Sequence, residues 1–286
     1  MGIVYALLSS VFFALGFTSL KKSFKEFPPS VRFFFDMIFG LLIWIPFSLI
    51  IGFDFSDILQ VLPYALISAI LSEAFIFYIL SKGELSITGT IFASYPVYTI
   101  LFAVILLGER LQLLHWIFIF ITIVGTTIAS LPKKITKEEL KGKKYILWAI
   151  AGALAVGLSD TISKGVIDKT SAAAFLFSLA LMQIPISLIY LRLEKETPRH
   201  ILKFAKDIGK YKYAIMGSLL NVLGLVGLWL AFENTYASIA SPLTAAYPGI
   251  MIILAILWLK EKPRLIEIIG LGLIMIGVIG VSYFYI

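Results

Sequence analysis

Glu73 stands inside an apolar stretch, where a carboxylate has few tolerable states. In hydrocarbon it must be paired, protonated or turned toward water. Burial disfavours its charged form, so the chemistry it points to is reversible binding of a proton or another cation, and proton-coupled exchange near neutral pH is the expectation. The alternative is a carboxyl hydrogen-bonded to a neighbouring helix. Asp160 is a second acid of this kind, in a segment whose Gly152, Ala153 and Gly157 permit close helix approach and a narrow polar passage. Glu73 and Asp160 are therefore the candidate ion-coupling groups. Asp160 can also pair with Lys164 one turn on, as Asp36 can with Arg32, and simple pairing is the preferred reading for Asp36.

Asn221 lies in a region comparable to that of Glu73, and Trp229 follows two turns along on a similar face. An amide and an aromatic ring there offer substrate contacts or ties between helices. Gln183, just ahead of Pro185, is a further midspan polar group without an assigned role. Two Tyr-Pro pairs, Tyr95-Pro96 and Tyr247-Pro248, fall in the middle of apolar spans. Each proline removes a backbone donor and opens its helix locally. Freed carbonyls at that depth are tolerated where they line a cavity or meet a neighbour. Tyr95 and Tyr247 thus join Asn221 and Trp229 as candidate substrate-binding residues, and Pro96 and Pro248 as cavity-gating ones.

Other chemistries lack their residues. There is no cysteine, and the two histidines, His115 and His200, are far apart. The acids are scattered, whereas a membrane-embedded transferase gathers carboxylates or histidines at one place. No metal site, catalytic residue or cofactor is expected. No Gly-x-x-x-x-Gly-Lys-Ser/Thr phosphate loop is present, so ATP is not the direct energy source and movement must be downhill or ion-coupled. Gly270, Gly272, Gly277 and Gly280 follow no strand and read as helix-packing positions rather than a nucleotide fingerprint.

The elements that must hold these residues follow from composition. Of the 286 residues 60% are hydrophobic and 14% charged, with mean hydropathy +0.98, too little polar surface to cover a water-soluble body. Apolar runs fall at 3–20, 31–51, 62–80, 86–107, 113–131, 146–163, 171–191, 213–232, 237–259 and 265–286. Each approximates the ~20 residues that cross a bilayer as a helix. The runs are too long and too uniformly apolar for barrel strands. The fold class is therefore all-α and polytopic, with ten transmembrane helices. The first run has neither a basic leader nor a small-residue cleavage site, and is read as a helix.

All of the 24 Lys and Arg except Arg110, Lys164 and Lys169 lie in the loops after odd-numbered helices. The positive-inside rule then places those loops in the cytoplasm and both termini outside, in the cytoplasmic (inner) membrane. The formal charge of +7 is accounted for by topology and anionic lipid, so lipid is an expected partner and nucleic acid is not. The loop after helix 7 carries a short amphipathic helix from Thr197 and Pro198 to Gly209, with Ile201, Phe204, Ala205 and Ile208 on one face and lysines beside them. Thr136 and Glu139 form a capping box in the loop between helices 5 and 6.

Laid over each other, the halves match. Ala-Ser-Tyr-Pro96 aligns with Ala-Ala-Tyr-Pro248 at an offset of 152, as do Glu109-Arg110 with Glu261-Lys262 and Gly125 with Gly277. Tyr64-Ala65 meets Tyr213-Ala214 at 149, and the Lys21 end of helix 1 meets Lys164 at 143. Five helices per copy is an odd number, so the second copy enters the membrane from the opposite side. The repeat is inverted, with a first unit at 1–131, a basic loop at 132–144 and a second unit at 145–286. Such repeats recur in secondary transporters.

These residues resemble the EamA-type members of the drug/metabolite transporter superfamily. The most specific parts are Pro96 with the stretch ending Leu-Gly-Glu-Arg-Leu111, and Tyr247-Pro248 onward to Leu-Lys-Glu-Lys262. Phe13, Ala14, Gly16, Phe17 and Lys21 occupy the places where the family's helix 1 often reads Trp-Gly-x-Asn-Phe and ends in Lys. The resemblance implies ten helices, two EamA domains and export or exchange of small solutes such as amino acids. The expected function is a secondary transporter working by alternating access on a small-molecule substrate, with protons as coupling partner. Rivals are a lipid or lipid-linked sugar translocator and, further off, a membrane-embedded transferase. Glu73 stands out as the place where the symmetry fails.

Overall fold

The computed structural model describes residues 1–23, 28–75, 94–131, 143–197, 208–259 and 262–284. Every regular element among them is a helix: α1 (Gly2–Ser23), α2 (Pro29–Ile51), α3 (Asp57–Ser68, continuing as a π-helical turn Ala69–Ala74), α4 (Tyr95–Leu106), α5 (Leu113–Ala129), α6 (Lys143–Ile167), α7 (Ala172–Leu193), α8 (Ile208–Asn234), α9a (Ala237–Thr244), α9b (Tyr247–Leu259) and α10 (Leu265–Phe284). Eight spans are long and apolar enough to cross a membrane, α9a and α9b sharing one of them, and α4 and α5 are shorter apolar helices. That gives the ten crossings expected.

The surface is turned inside out relative to a water-soluble protein. Leu42, Ile50, Leu106, Phe120 and Ile279 are exposed, while Ser9, Ser48, Thr99, Thr122 and Ser178 have no exposed surface. Lipid tails accept the first set, and in lipid the hydroxyls must find partners inside the bundle. Several bond within their own helix, as Thr122 donates to the Phe118 carbonyl at 2.8 Å and Ser282 to that of Val278 at 2.7 Å. Ser9 instead donates across helices to the Gly224 carbonyl at 2.7 Å.

Helix packing obeys the inverted repeat. Exchanging α1–α5 with α6–α10 turns the most extensive contacts between the halves into one another: α1 on α8 becomes α6 on α3, α1 on α9 becomes α6 on α4, and α2 on α8 becomes α7 on α3. The pairs α2/α7, α4/α9 and α5/α10 map onto themselves. Burial follows the same exchange: Tyr64 and Tyr213 face outward, and the alanines after them, Ala65 and Ala214, are buried.

The α5/α10 contact shows the symmetry at atomic scale. A Cβ on Gly125 would sit 2.7 Å from the Ile274 nitrogen and 2.9 Å from the Gly270 carbonyl oxygen. One on Gly277 would sit 2.7 Å from the Thr122 nitrogen and 2.8 Å from the Phe118 carbonyl oxygen. Adding 152 to 118, 122 and 125 yields 270, 274 and 277, so the two contacts are the same contact seen from either half. Backbone atoms stand so close on both sides that moving a side chain would not relieve the clash. Gly125→Leu and Gly277→Leu are each expected to destabilise the bundle by about 3 kcal/mol, near the upper end of the usual cost of overpacking. Matched losses of thermal stability in detergent would check this, and a tolerated leucine at either position would contradict it.

Three expectations are corrected. Helix 9 is not continuous over 237–259: it breaks at Ala245-Ala246 and restarts at Tyr247, so Pro248 occupies the second position of α9b instead of the interior of a helix. Proline suits that position, because the first turn has no intrahelical acceptor for its missing N–H. Helix 3 begins at Asp57, earlier than its apolar run, and carries the π-helical turn, which periodicity does not report. Gly209 lies in the first turn of α8 instead of ending a preceding helix. The rest of the amphipathic stretch, and the Thr136 and Glu139 capping box, lie outside the described residues.

Candidate functional site

Two carboxylate–amide pairs tie the repeats together. Asp36 on α2 accepts a hydrogen bond from the Asn221 amide on α8 at 2.8 Å and one from the Ser218 hydroxyl, with Arg32 one turn away attracting the same carboxylate. Glu73, on the π-helical turn of α3, accepts a hydrogen bond from the Gln183 amide on α7. Such turns add one residue to the helical register and re-aim side chains, and they are frequent at functional sites. Asp36, Glu73 and Gln183 are all buried, and the two carboxylates feel each other's charge. Gln183 reaches this point because Gly40 leaves room: a Cβ there would lie 2.9 Å from the Gln183 Oε1.

These pairs revise the reading of Glu73 as a break in symmetry. Asp36 and Gln183 are related at an offset of 147, Glu73 and Asn221 at 148, between the offsets of the flanking helices. The α2/α8 and α3/α7 contacts are mates, and each holds one acid and one amide. Repeat 1 supplies both acids and repeat 2 both amides. Asp36 is accordingly more than the partner of Arg32 within one helix.

A second group surrounds the two tyrosines. Tyr95 opens α4 and Tyr247 opens α9b, with Pro96 and Pro248 buried directly after them. Tyr95 faces Ser241 of α9a and lies within electrostatic reach of Asp160 and Tyr247. Asp160 on α6 accepts the Thr99 hydroxyl at 3.4 Å. Thr161 donates to the Gly157 carbonyl at 2.8 Å and the Thr99 carbonyl at 3.3 Å, stitching α6 to α4. Gly157 makes that approach possible, since a Cβ there would stand 2.7 Å from the Thr99 nitrogen. Tyr247 packs on Phe17 of α1, ring centroids 5.0 Å apart. Phe17 and Asp160 are mates at the α1/α6 offset of 143, so one tyrosine meets a phenyl ring and the other an acid.

Of the two readings left open for Asp160, pairing with Lys164 is not seen. Lys164 bonds Asp168, in the opposite direction along α6, which leaves Asp160 to the Thr99 side. Trp229 packs in an aromatic cluster, 4.6 Å from Phe175 and 5.5 Å from Phe232 between ring centroids, with 1% of its surface exposed. The structure thus brings together Tyr95, Asp160 and Tyr247, and separately Glu73 and Asn221 through Asp36, and sets Trp229 among rings. No group of three or more His, Asp or Glu side chains placed to hold a metal ion occurs among the described residues.

Three carboxylates to which sequence reasoning gave no capping role cap helices across loops. Glu194, just past α7, accepts the Ser30 N–H of α2 at 3.0 Å, and Glu233 near the end of α8 accepts the Ala172 N–H of α7 at 3.0 Å. Glu109 reaches α9a, accepting the Ala237 N–H at 2.8 Å, the Ser238 N–H at 3.0 Å and the Ser238 hydroxyl. Arg264 adds a similar tie, donating to the Leu131 carbonyl at 2.6 Å from the start of α10 to the end of α5. In every case an even number of crossings separates the partners, as ten membrane crossings require. A helix N-terminus carries unsatisfied N–H groups and partial positive charge, so a carboxylate answers both needs.

Glu109 is aimed by Gly108. Gly108 has φ +68° with nothing within 4 Å of its would-be Cβ, and the turn lets the Glu109 N–H reach the Ala103 carbonyl at 3.3 Å. Gly108→Ala is therefore a test of backbone strain alone, expected to lower stability by about 1 kcal/mol. Thermal unfolding of the variant in detergent checks it, and an unchanged melting temperature would contradict it. Glu261, the sequence mate of Glu109, lies outside the described residues.

A family model described as the EamA-like transporter family matches residues 1–131 and again residues 143–283. An uncharacterized protein of Methanocaldococcus jannaschii is 43% identical over 70 residues, covering 24% of this chain and 51% of that protein. The match thus spans about half the length of that relative. A solved crystal structure superposes with a TM-score of 0.76 at 16% identity over 99% of this chain and 98% of its own, a likeness of fold.

Proposed function

The chain belongs to the EamA-like transporter family, and from that membership we propose that it is a secondary carrier moving a small metabolite such as an amino acid by alternating access. The observation that carries this reading is the exchange relation between the halves, which meet at two discontinuous polar centres. Two packings related by that exchange would be near-equivalent in energy, one open to each side, as alternating access requires. In this reading Tyr95, Tyr247 and Asp160 line the solute path. The start of α9b favours a carboxylate and Asp160 an ammonium, the two ends of an amino acid. Pro96 and Pro248 hold the helix starts, and the break before α9b is the hinge. Asp36, Glu73, Gln183 and Asn221 form the energy-coupling centre. The basic loops face the cytoplasm of a cell whose inner membrane holds the protein, with both termini outside.

The test is counterflow in proteoliposomes loaded with a panel of amino acids and other small metabolites. Saturable exchange of at least one solute supports the carrier. If no member of a broad panel moves through folded, reconstituted protein, the reading fails.

A further inference from the structure

We infer that Asp36, Glu73 and Gln183 form a binding site for one alkali-metal cation, sodium in the first instance. This deepens the carrier reading by naming the coupling ion and rests on that reading for the ion's use, though not for its binding. Three oxygens carry the argument. Asp36 Oδ1, Glu73 Oε1 and Gln183 Oε1 are buried and have no hydrogen-bond donor, while the companion atoms of the same three groups are engaged. Asn221 holds the other Asp36 oxygen, and the Gln183 nitrogen holds the other Glu73 oxygen. Gln183, with no exposed surface, turns its nitrogen to Glu73 and leaves its oxygen against α2 at Gly40, one turn from Asp36.

Oxygen acceptors without donors are what a hard cation uses as ligands. A proton added to either carboxyl supplies a single O–H and engages at most two of the three, the oxygen that carries it and one acceptor, whereas a metal ion draws lone pairs from all of them. Charge selects the valence. Among the described residues, the titratable and charged groups facing the centre are Arg32 and Asp36 from α2 and Glu73 from α3, with Gln183 from α7 and Asn221 and Ser218 from α8 neutral. With both carboxyls ionised, as binding a cation requires, Arg32 offsets one of them and leaves a single negative charge in a medium that penalises any net charge. A monovalent ion brings the total to zero, and a divalent ion would leave an uncompensated positive charge.

The experiment is equilibrium binding of radioactive ²²Na⁺ to the purified full chain in detergent or nanodiscs, with choline chloride holding ionic strength. The expected result is saturable binding near one ion per chain, displaced by unlabelled NaCl and unaffected by choline. Glu73→Gln keeps the shape and removes a charge, and is expected to weaken binding by at least about tenfold. Asp54→Asn, on the loop between α2 and α3, leaves binding unchanged. Should Glu73→Gln fail to elute as a folded monomer, Gln183→Glu serves: it adds a carboxylate at the same place, and Ca²⁺ should then compete with ²²Na⁺ where it does not in the unmodified chain. Folded protein that retains no ²²Na⁺ above the choline background overturns the site, as does binding that Glu73→Gln and Gln183→Glu leave unaltered. The two readings separate cleanly. Sodium binding without solute movement keeps the site and removes the carrier, and solute movement by a protein that binds no sodium does the reverse.

Discussion

Glu109→Ala is expected to destabilise the folded chain by about 3 kcal/mol and to abolish solute counterflow. The substitution removes a charged acceptor from two backbone N–H groups and one hydroxyl. Hydrogen bonds to charged groups contribute about 1.5–3 kcal/mol each, and losing a cap alone costs about 1 kcal/mol, with partial compensation as the helix end relaxes. Water offers little relief, because α9a is buried along its whole length. The orphaned N–H groups would draw the start of α9a out of the bundle, and with it the segment that faces Tyr95. Glu109→Gln keeps one acceptor oxygen and should recover roughly half of the loss. Melting temperature in detergent and protease sensitivity near Ala237 read the effect. A Glu109→Ala chain as stable and as active as the original would show that the cap does not hold this end of the fold.

Asp160→Asn should behave in the opposite way, with stability kept and solute affinity weakened. The amide is isosteric and can still accept the Thr99 hydroxyl, and replacing a buried acid by a neutral group removes a desolvation cost. Melting temperature is therefore expected to hold or rise. An ammonium on the solute would lose its charged partner, worth about 2–3 kcal/mol, which is a fall of roughly 30- to 150-fold in apparent affinity. A counterflow titration of the same solute against both proteins measures it. Equal affinities would remove Asp160 from the solute path, and the matching Phe17 side would then be the place to look.

Much of the fold could be read from the chain because its causes are local. Ten apolar runs, their parity and the Tyr-Pro and Glu-Arg/Lys echoes at one offset are enough to specify inverted halves. What stayed illegible depends on which faces meet. Gln183 could be noticed as a midspan amide, yet only the α3/α7 contact gives it Glu73. Asp36 has a tempting partner one turn away in Arg32, and local spacing conceals the Asn221 contact 185 positions along the chain. Lys164 has acids at both i−4 and i+4, and sequence cannot choose between Asp160 and Asp168. Glu109 was visible as half of a repeated motif, but its job is to cap a helix 128 residues away. The packing of Trp229 was hidden for a related reason: an aromatic residue on a polar-looking face is indistinguishable, in one dimension, from one packed among Phe175 and Phe232. The break in helix 9 had its signal in Pro248, displaced by a few residues because proline starts the new helix.

The division of acids and amides between the halves has a bearing on how this architecture knows its own partner. If two copies of repeat 1 met in the same geometry, Asp36 of each would confront Glu73 of the other, setting carboxylate against carboxylate at both contacts. Two copies of repeat 2 would set Gln183 against Asn221, amide against amide with no charge at all. Only unlike halves give acid on amide twice. The same four side chains thus act as a mating type written into a duplicated sequence, setting repeat 1 against its own copy and matching it to the diverged sibling.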